Sequence, residues 1–342
     1  MMTKQRFALL AALLLIQLLC APVSAVTAEP AADAQADAQT ATDNSAEDAA
    51  AADDSVPEDQ LLSSREQFSV AAKAALLIDL NTNRVVYEQD ADERVYPASL
   101  TKIMTCLIAL ENGNLSDVVT VSESALADLD EDSSVAGLVV GEQMTLENLL
   151  YCMMVVSGND ACNVIAEHVA GSVTDFVRMM NQRAYELGCT NTHFNNPHGL
   201  HDESHYTTAR DLAIITQAAL KSENFRQIVD TYEYKLPDDN MRQNIPKLKT
   251  TNMLIYQSMS NSLYYPRAHG IKTGYTSQAG RCVISEATGD GLDLLGIVCG
   301  AATTVLDSGD LLMENFTECA RLFDYGFDNY SYLTLMSPLY PV

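Results

Sequence analysis

Arg281-Cys282-Val283-Ile284-Ser285-Glu286-Ala287-Thr288-Gly289-Asp290-Gly291-Leu292-Asp293-Leu294-Leu295-Gly296-Ile297-Val298 reads as one β-hairpin. Two apolar runs, Arg281–Ala287 and Leu292–Val298, flank Thr288-Gly289-Asp290-Gly291, and Asp-Gly suits the backbone of a tight hairpin turn. A shorter strand, His269–Lys272, precedes them. Far upstream, Ala74–Leu80 and Arg84–Glu88 are rich in Leu, Ile and Val, with Asn81-Thr82-Asn83 as the turn between them. Between the two strand regions the pattern becomes helical. A helix is expected from Ser99 to Leu110, stopping at Gly113, then apolar helices over Thr145–Val156 and Asn159–Ala170. Asp175–Leu187 and Ala209–Leu220 read as amphipathic helices, and Leu306–Phe323 as a closing helix. Strands at both ends with helices between predict an α+β domain, its antiparallel sheet formed by both ends of the domain beside a helical lobe. No internal repeat is visible.

The chain has 342 residues, 47% of them apolar, enough for a substantial core and too many for a wholly disordered chain. Its 46 acidic and 20 basic residues give a formal net charge of −26. Such a chain cannot release counterions from a phosphate backbone and gains nothing on an anionic membrane, so no nucleic-acid partner is expected. Residues 1–25 read as a signal peptide. Lys4 and Arg6 form its basic start, Phe7 to Leu19 its apolar run, and Val23-Ser24-Ala25 the small residues before cleavage. That run is short for a retained anchor, and the bulky Leu19 argues against lipidation at Cys20. Residues 26–60 carry ten acidic residues, no Lys or Arg, and little large apolar surface, which predicts a disordered acidic Ala-rich tether. The folded domain is then 61–330, followed by a short tail at 331–342. The eight cysteines show no C-x-x-C pair or zinc-like spacing, and several sit in apolar runs, so buried free thiols are expected.

Three short motifs carry the chemistry. Ser99-x-x-Lys102 puts a hydroxyl and an amine about one helical turn apart, where an amine of lowered pKa can take the serine proton. Ser157-Gly158-Asn159 emerges between two apolar helices, a place that presents side chains to a cleft; the similar Ser222-Glu223-Asn224 reads as helix capping. Lys272-Thr273-Gly274, at the end of a predicted strand, combines a cation, a hydroxyl and a glycine suited to holding a carboxylate. Taken singly, each has an ordinary surface or capping explanation. His193, His198, His201 and His205 lie close in sequence, but in a turn-rich run, and no metal site is expected. Arg210 and Asp211 are expected to form a structural ion pair, with Arg210 beside the carboxylate pocket as the lesser reading.

The trio in this order marks class A β-lactamases and penicillin-binding proteins. The chain further resembles the serine-type D-alanyl-D-alanine carboxypeptidases among the low-molecular-weight penicillin-binding proteins. The resemblance runs from about Ala72 to about Tyr330. It includes Tyr96-Pro97-Ala98-Ser99-Leu100-Thr101-Lys102-Ile103-Met104-Thr105, Asn196-Pro197-His198-Gly199-Leu200 and Gly270-Ile271-Lys272-Thr273-Gly274-Tyr275-Thr276. It implies a β-lactamase/transpeptidase-like fold and a protein secreted across the bacterial cytoplasmic membrane to the cell wall. Ser99 is then the nucleophile, Lys102 the general base and Ser157 a proton relay. Asn159, Lys272, Thr273, Gly274 and Tyr275 bind substrate, with the backbone N–H groups of Ser99 and Tyr275 as the oxyanion hole. Peptidoglycan stem peptides are the implied substrate, β-lactams the implied inhibitors, and no cofactor or metal is implied. The alternatives are a β-lactamase and a non-catalytic wall scaffold. Against the first, Gly158 stands where Asp is usual, and Glu186, the nearest candidate for a deacylating carboxylate, lies in a predicted helix with no Asn four residues on. Many relatives continue into a β-rich second domain and an amphipathic anchor. The end at Pro338-Leu339-Tyr340-Pro341-Val342 therefore suggests a free catalytic domain or a truncated product and leaves membrane attachment doubtful.

Overall fold

The computed structural model describes residues 68–127, 129, 133–305 and 311–332. The stretches read as signal peptide (1–25) and acidic tether (26–60), and nearly all of the expected tail at 331–342, lie outside these residues. In chain order, strands β1 (Ala74–Asp79) and β2 (Arg84–Gln89) lead through a 3₁₀ turn (Ala98–Thr101) into helix α1 (Lys102–Asn112). Then come β3 (Val118–Thr120), α2 (Glu123–Ala127), β4 (Gln143–Thr145), α3 (Leu146–Val155), α4 (Asn159–Ala170) and α5 (Val173–Glu186). Helices α6 (Ala209–Ala219) and α7 (Glu223–Val229) and the short strands β5 (Glu233–Tyr234) and β6 (Leu248–Lys249) follow. The chain closes with β7 (Ala268–Thr276), β8 (Gly280–Gly289), β9 (Leu292–Ala301), β10 (Thr303–Val305), β11 (Leu311–Met313) and α8 (Glu314–Asn329).

The central sheet has the order β2-β1-β9-β8-β7, antiparallel throughout, with β7 on the edge. Both ends of the domain build it, because β1 pairs with β9 from Ala74↔Cys299 to Asp79↔Leu294. The β8–β9 hairpin closes through Asp290 and Gly291, both at positive φ (53° and 83°), as the Asp-Gly signal demands. All six residues of β1 are buried because the sheet is covered on both faces. One face packs Leu76, Ile78, Ile284 and Ile297 against the helical lobe. The other packs Leu77, Val283, Leu294 and Val298 against Phe316, Cys319, Leu322 and Phe323 of α8.

Three expectations are corrected in detail. The closing helix spans Glu314–Asn329, not Leu306–Phe323, because Leu311–Met313 pairs with Thr303–Val305 as a hairpin. Its apolar face runs on past Phe323 to Gly326, which lies against Leu294 and Leu77. Lys272-Thr273-Gly274 sits inside β7, whose pairing with β8 extends to Thr276↔Gly280, and not at a strand end. Arg210 pairs with Asp92 and Glu88, not Asp211. Adjacent helical residues point about 100° apart and cannot face each other; Asp211 instead accepts from Asn191 N and Thr192 Oγ1 at 2.9 and 2.7 Å. Ser222 caps α7 by accepting from Phe225 N, opening a helix that sequence patterning had not marked.

The seven cysteines from Cys106 to Cys319 are buried free thiols. Close packing of α8 on the sheet depends on Gly296, where an added Cβ would lie 2.9 Å from Phe323 Cε1 and 3.3 Å from Cys319 Sγ. A Gly296→Val variant should therefore lose about 1–3 kcal/mol through overpacking, read as a lower urea midpoint with an unchanged slope.

Candidate active site

The 3₁₀ turn fixes the first pair of groups. In such a turn residues three apart eclipse each other, so Ser99 and Lys102 stack on one side. Lys102 is fully buried, and its Nζ lies 2.9 Å from Ser99 Oγ, 2.7 Å from Asn159 Oδ1 and 2.7 Å from the His198 carbonyl. Burial pushes its pKa below the ordinary lysine range, opposed by the nearby Asp160 carboxylate. The Cys162 thiol, raised by burial to about 11, is uncharged near neutral pH and offers no anion to offset this. A neutral amine fits the three contacts: it donates to the two carbonyl oxygens and accepts the hydroxyl proton of Ser99.

The turn is seated by backbone contact. Ala98 holds a positive φ of 47°, and Gly199 packs so closely behind it that a Cβ there would stand 1.8 Å from Ala98 O. Thr105 Oγ1 donates to the Pro197 carbonyl at 2.6 Å, and Thr101 Oγ1 lies 2.8 Å from His205 Nε2. His205 Nδ1 accepts from Asn195 N, so Nε2 carries the proton and donates to Thr101. Burial holds the ring neutral, with its pKa lowered to about 4. The Asn196–Leu200 segment thus acts through backbone: the His198 carbonyl holds the lysine, and its ring, lowered by burial to about 3, lines the cleft. The other histidines are also occupied structurally; His193 bonds the Ser204 carbonyl and His201 packs edge-on against Tyr96. Among the described residues no group of three His, Cys, Asp or Glu could hold a metal ion.

The second motif bridges α3 and α4. Ser157 adopts φ 63°, Gly158 is the N-cap, and Asn159 opens α4. Asp160 accepts from Ala136 N, Gly137 N and Leu138 N at 2.9–3.0 Å, and Ser134 O accepts from Asn159 N. These bonds hold the 133–138 loop as one wall of the cleft. Ser157 lines the same cleft, although its hydroxyl bonds neither Lys102 nor Lys272.

The third motif forms the opposite wall. Gly274 passes so near the 3₁₀ turn that a Cβ would lie 3.0 Å from Ser99 N. Lys272 is buried, with Nζ donating to Thr273 O at 2.9 Å; burial and the nearby Lys102 push its pKa well down. Thr273 Oγ1 lies 2.7 Å from Thr251 Oγ1, a cleft residue that no sequence motif singled out. Tyr275 is exposed at the rim. As an edge strand, β7 presents unpaired backbone groups to the cleft, a template for an extended peptide.

The cleft measures 310 Å³, and its described lining includes no Asp or Glu. Glu186 ends α5 beside Arg183 and Gln182, outside it. A larger open hollow of 740 Å³ between α1 and α5 contains none of the motif residues. Because the Gly199–Ala98 contact is backbone to backbone, Gly199→Ala should lose more than about 2 kcal/mol of stability, measured by urea unfolding.

Residues 61–303 match the family model of the D-alanyl-D-alanine carboxypeptidases. D-alanyl-D-alanine carboxypeptidase DacF of Bacillus subtilis is 38% identical over 267 residues, covering 76% of this chain and 63% of that protein. DacC of Escherichia coli is 33% identical over 281 residues, 80% of this chain and 65% of that one. The chain therefore spans just under two thirds of the length of these curated relatives. The crystal structure of the Streptomyces K15 DD-transpeptidase superposes with a TM-score of 0.67 at 30% identity, over 76% of this chain and 98% of that one. Penicillin binding protein 5 from Haemophilus influenzae gives 0.65 at 32% identity, over 76% and 72%. The matched stretch holds all three motifs and most of the domain that positions them: the chain belongs to the D-alanyl-D-alanine carboxypeptidase family.

Proposed function

We propose that the protein is a secreted serine DD-carboxypeptidase that removes the terminal D-alanine from peptidoglycan stem pentapeptides at the cell wall. The observation that carries this reading is the fully buried Lys102 amine 2.9 Å from Ser99 Oγ. A hydroxyl is a poor nucleophile until a neighbouring base takes its proton, and burial shifts this amine toward the basic form.

The substrate lies along β7 as an added strand, with the carbonyl between its last two D-alanines above Ser99. Ser99 Oγ attacks that carbon while its proton passes to Lys102 Nζ. The backbone N–H groups of Ser99 and Tyr275 receive the negative oxygen. As the C–N bond breaks, the proton moves to the departing D-alanine nitrogen, with the free Ser157 hydroxyl as relay. Asn159 holds the peptide amide, and Lys272 and Thr273 form the floor under the terminal carboxylate. Water, deprotonated by the same lysine, then attacks the acyl-enzyme and releases the shortened peptide. A β-lactam acylates Ser99 by the same first step. The absence of any Asp or Glu from the described cleft lining favours this over a β-lactamase reading that needs a carboxylate for deacylation.

Wild type should release D-alanine from a peptide ending in D-Ala-D-Ala, and Ser99→Ala should release none. Equal release, or none from wild type, refutes the reading. Lys102→Ala should slow acylation by about 10²–10⁴-fold. The pH profile follows from the sign of the Lys102 shift. The neutral amine is the working form, so kcat/KM should fall as pH drops through the lowered lysine pKa and level off above it. A profile that rises only through the ordinary lysine range near pH 10.4 would contradict a buried base.

A further inference from the structure

We propose that Arg281 reads the free C-terminal carboxylate of the substrate, its guanidinium clamping that group at the mouth of the cleft. This inference rests on the carboxypeptidase reading above and names the residue that sets its demand for a free acid.

The described lining of the cleft includes one Lys or Arg side chain, Arg281. Lys102 and Lys272 lie beneath that surface, 0% and 1% exposed, and the Lys272 amine is already engaged by the Thr273 carbonyl. A substrate carboxylate entering from solvent meets Arg281 before it meets either lysine. Arg281 pairs with Tyr275 across β7 and β8, so both side chains leave the same face of the sheet, and Thr273 shares that face two residues back. Its guanidinium carbon lies 4.9 Å from the centre of the Tyr275 ring, while Nε donates to Thr303 Oγ1. Stack and anchor hold the group in one plane. Its two terminal nitrogens bond no other described side chain or carbonyl, and no described carboxylate pairs with it. A planar fork of free donors is the group that binds a carboxylate through two parallel hydrogen bonds. The distances along the substrate agree. With the scissile carbonyl at Tyr275 N–H, the terminal carboxylate lies one residue further, about 3.8 Å of chain, within an arginine's reach.

The test compares wild type, Arg281→Gln and Arg281→Lys on a peptide ending in D-Ala-D-Ala and on its C-terminal amide. Wild type should prefer the acid, and R281Q should lose about ten- to a hundredfold in kcat/KM on the acid, mainly through KM. The amide should be turned over equally by both, and R281K should recover part of the loss. If R281Q falls equally on acid and amide, Arg281 only supports the wall and the inference is overturned; so too if R281Q matches wild type on the acid. If wild type releases D-alanine from neither peptide, the carboxypeptidase reading itself has failed. Acylation by benzylpenicillin against its methyl ester then reads Arg281 on another carboxylate. A tenfold drop confined to the free acid in R281Q supports the clamp, and equal rates, or no acylation of either protein, overturn it.

Discussion

An amine taken wholly out of water needs a hydrogen-bonding partner at each position and is costly to charge, and Lys102 meets both conditions with three close oxygens and a lowered pKa. Its three contacts come from the 3₁₀ turn, from the first residue of α4 and from a backbone carbonyl in the 196–200 segment. None of the three can move far without exposing or stranding the nitrogen. Much of the surrounding structure serves to keep them in place. Gly199 permits a backbone-to-backbone approach, Thr105 ties α1 to the same segment, His205 links Thr101 to Asn195 just before it, and Asp160 fixes the loop on the far side of Asn159.

The sheet supplies the other half of the site. With β9 between β1 and β8, the edge position falls to β7, and the edge leaves backbone groups free for a peptide. Gly274 lets that edge approach Ser99 N so closely that an added Cβ would force a neighbour to give way. Ser99 is therefore held from below by the helical lobe and from one side by the sheet. The glycines here mark contacts between backbones, while those at Gly296 and Gly326 let α8 settle on the opposite face.

Much of this was legible in the sequence for local reasons. The Asp290-Gly291 turn, the helix over Asn159–Ala170 and the spacing of Ser99 and Lys102 depend on residues near one another in the chain. The insertion of β9 between β1 and β8 depends on pairing residues more than two hundred positions apart, which periodicity does not report. Thr251 and Arg281 escaped for the same reason. Their meaning comes from Thr273 and from Tyr275 and Thr303, neighbours created only by the fold. The shifted closing helix shows a different failure. Apolar residues at 311–313 satisfy a helical pattern equally well, and only their pairing with 303–305 makes them a strand.

The β1–β9 pairing also governs when the cleft can form. The strand that opens the sheet waits for a partner more than two hundred residues downstream, so the sheet cannot close until β9 has been made. Ser99, Asn159 and Lys272 lie on segments that meet only in that finished sheet and lobe. A chain that ends before β7 holds Ser99 and Lys102 with no Lys272-Thr273-Gly274 wall opposite them. Topology alone thus delays assembly of the cleft until the β8–β9 hairpin has been made.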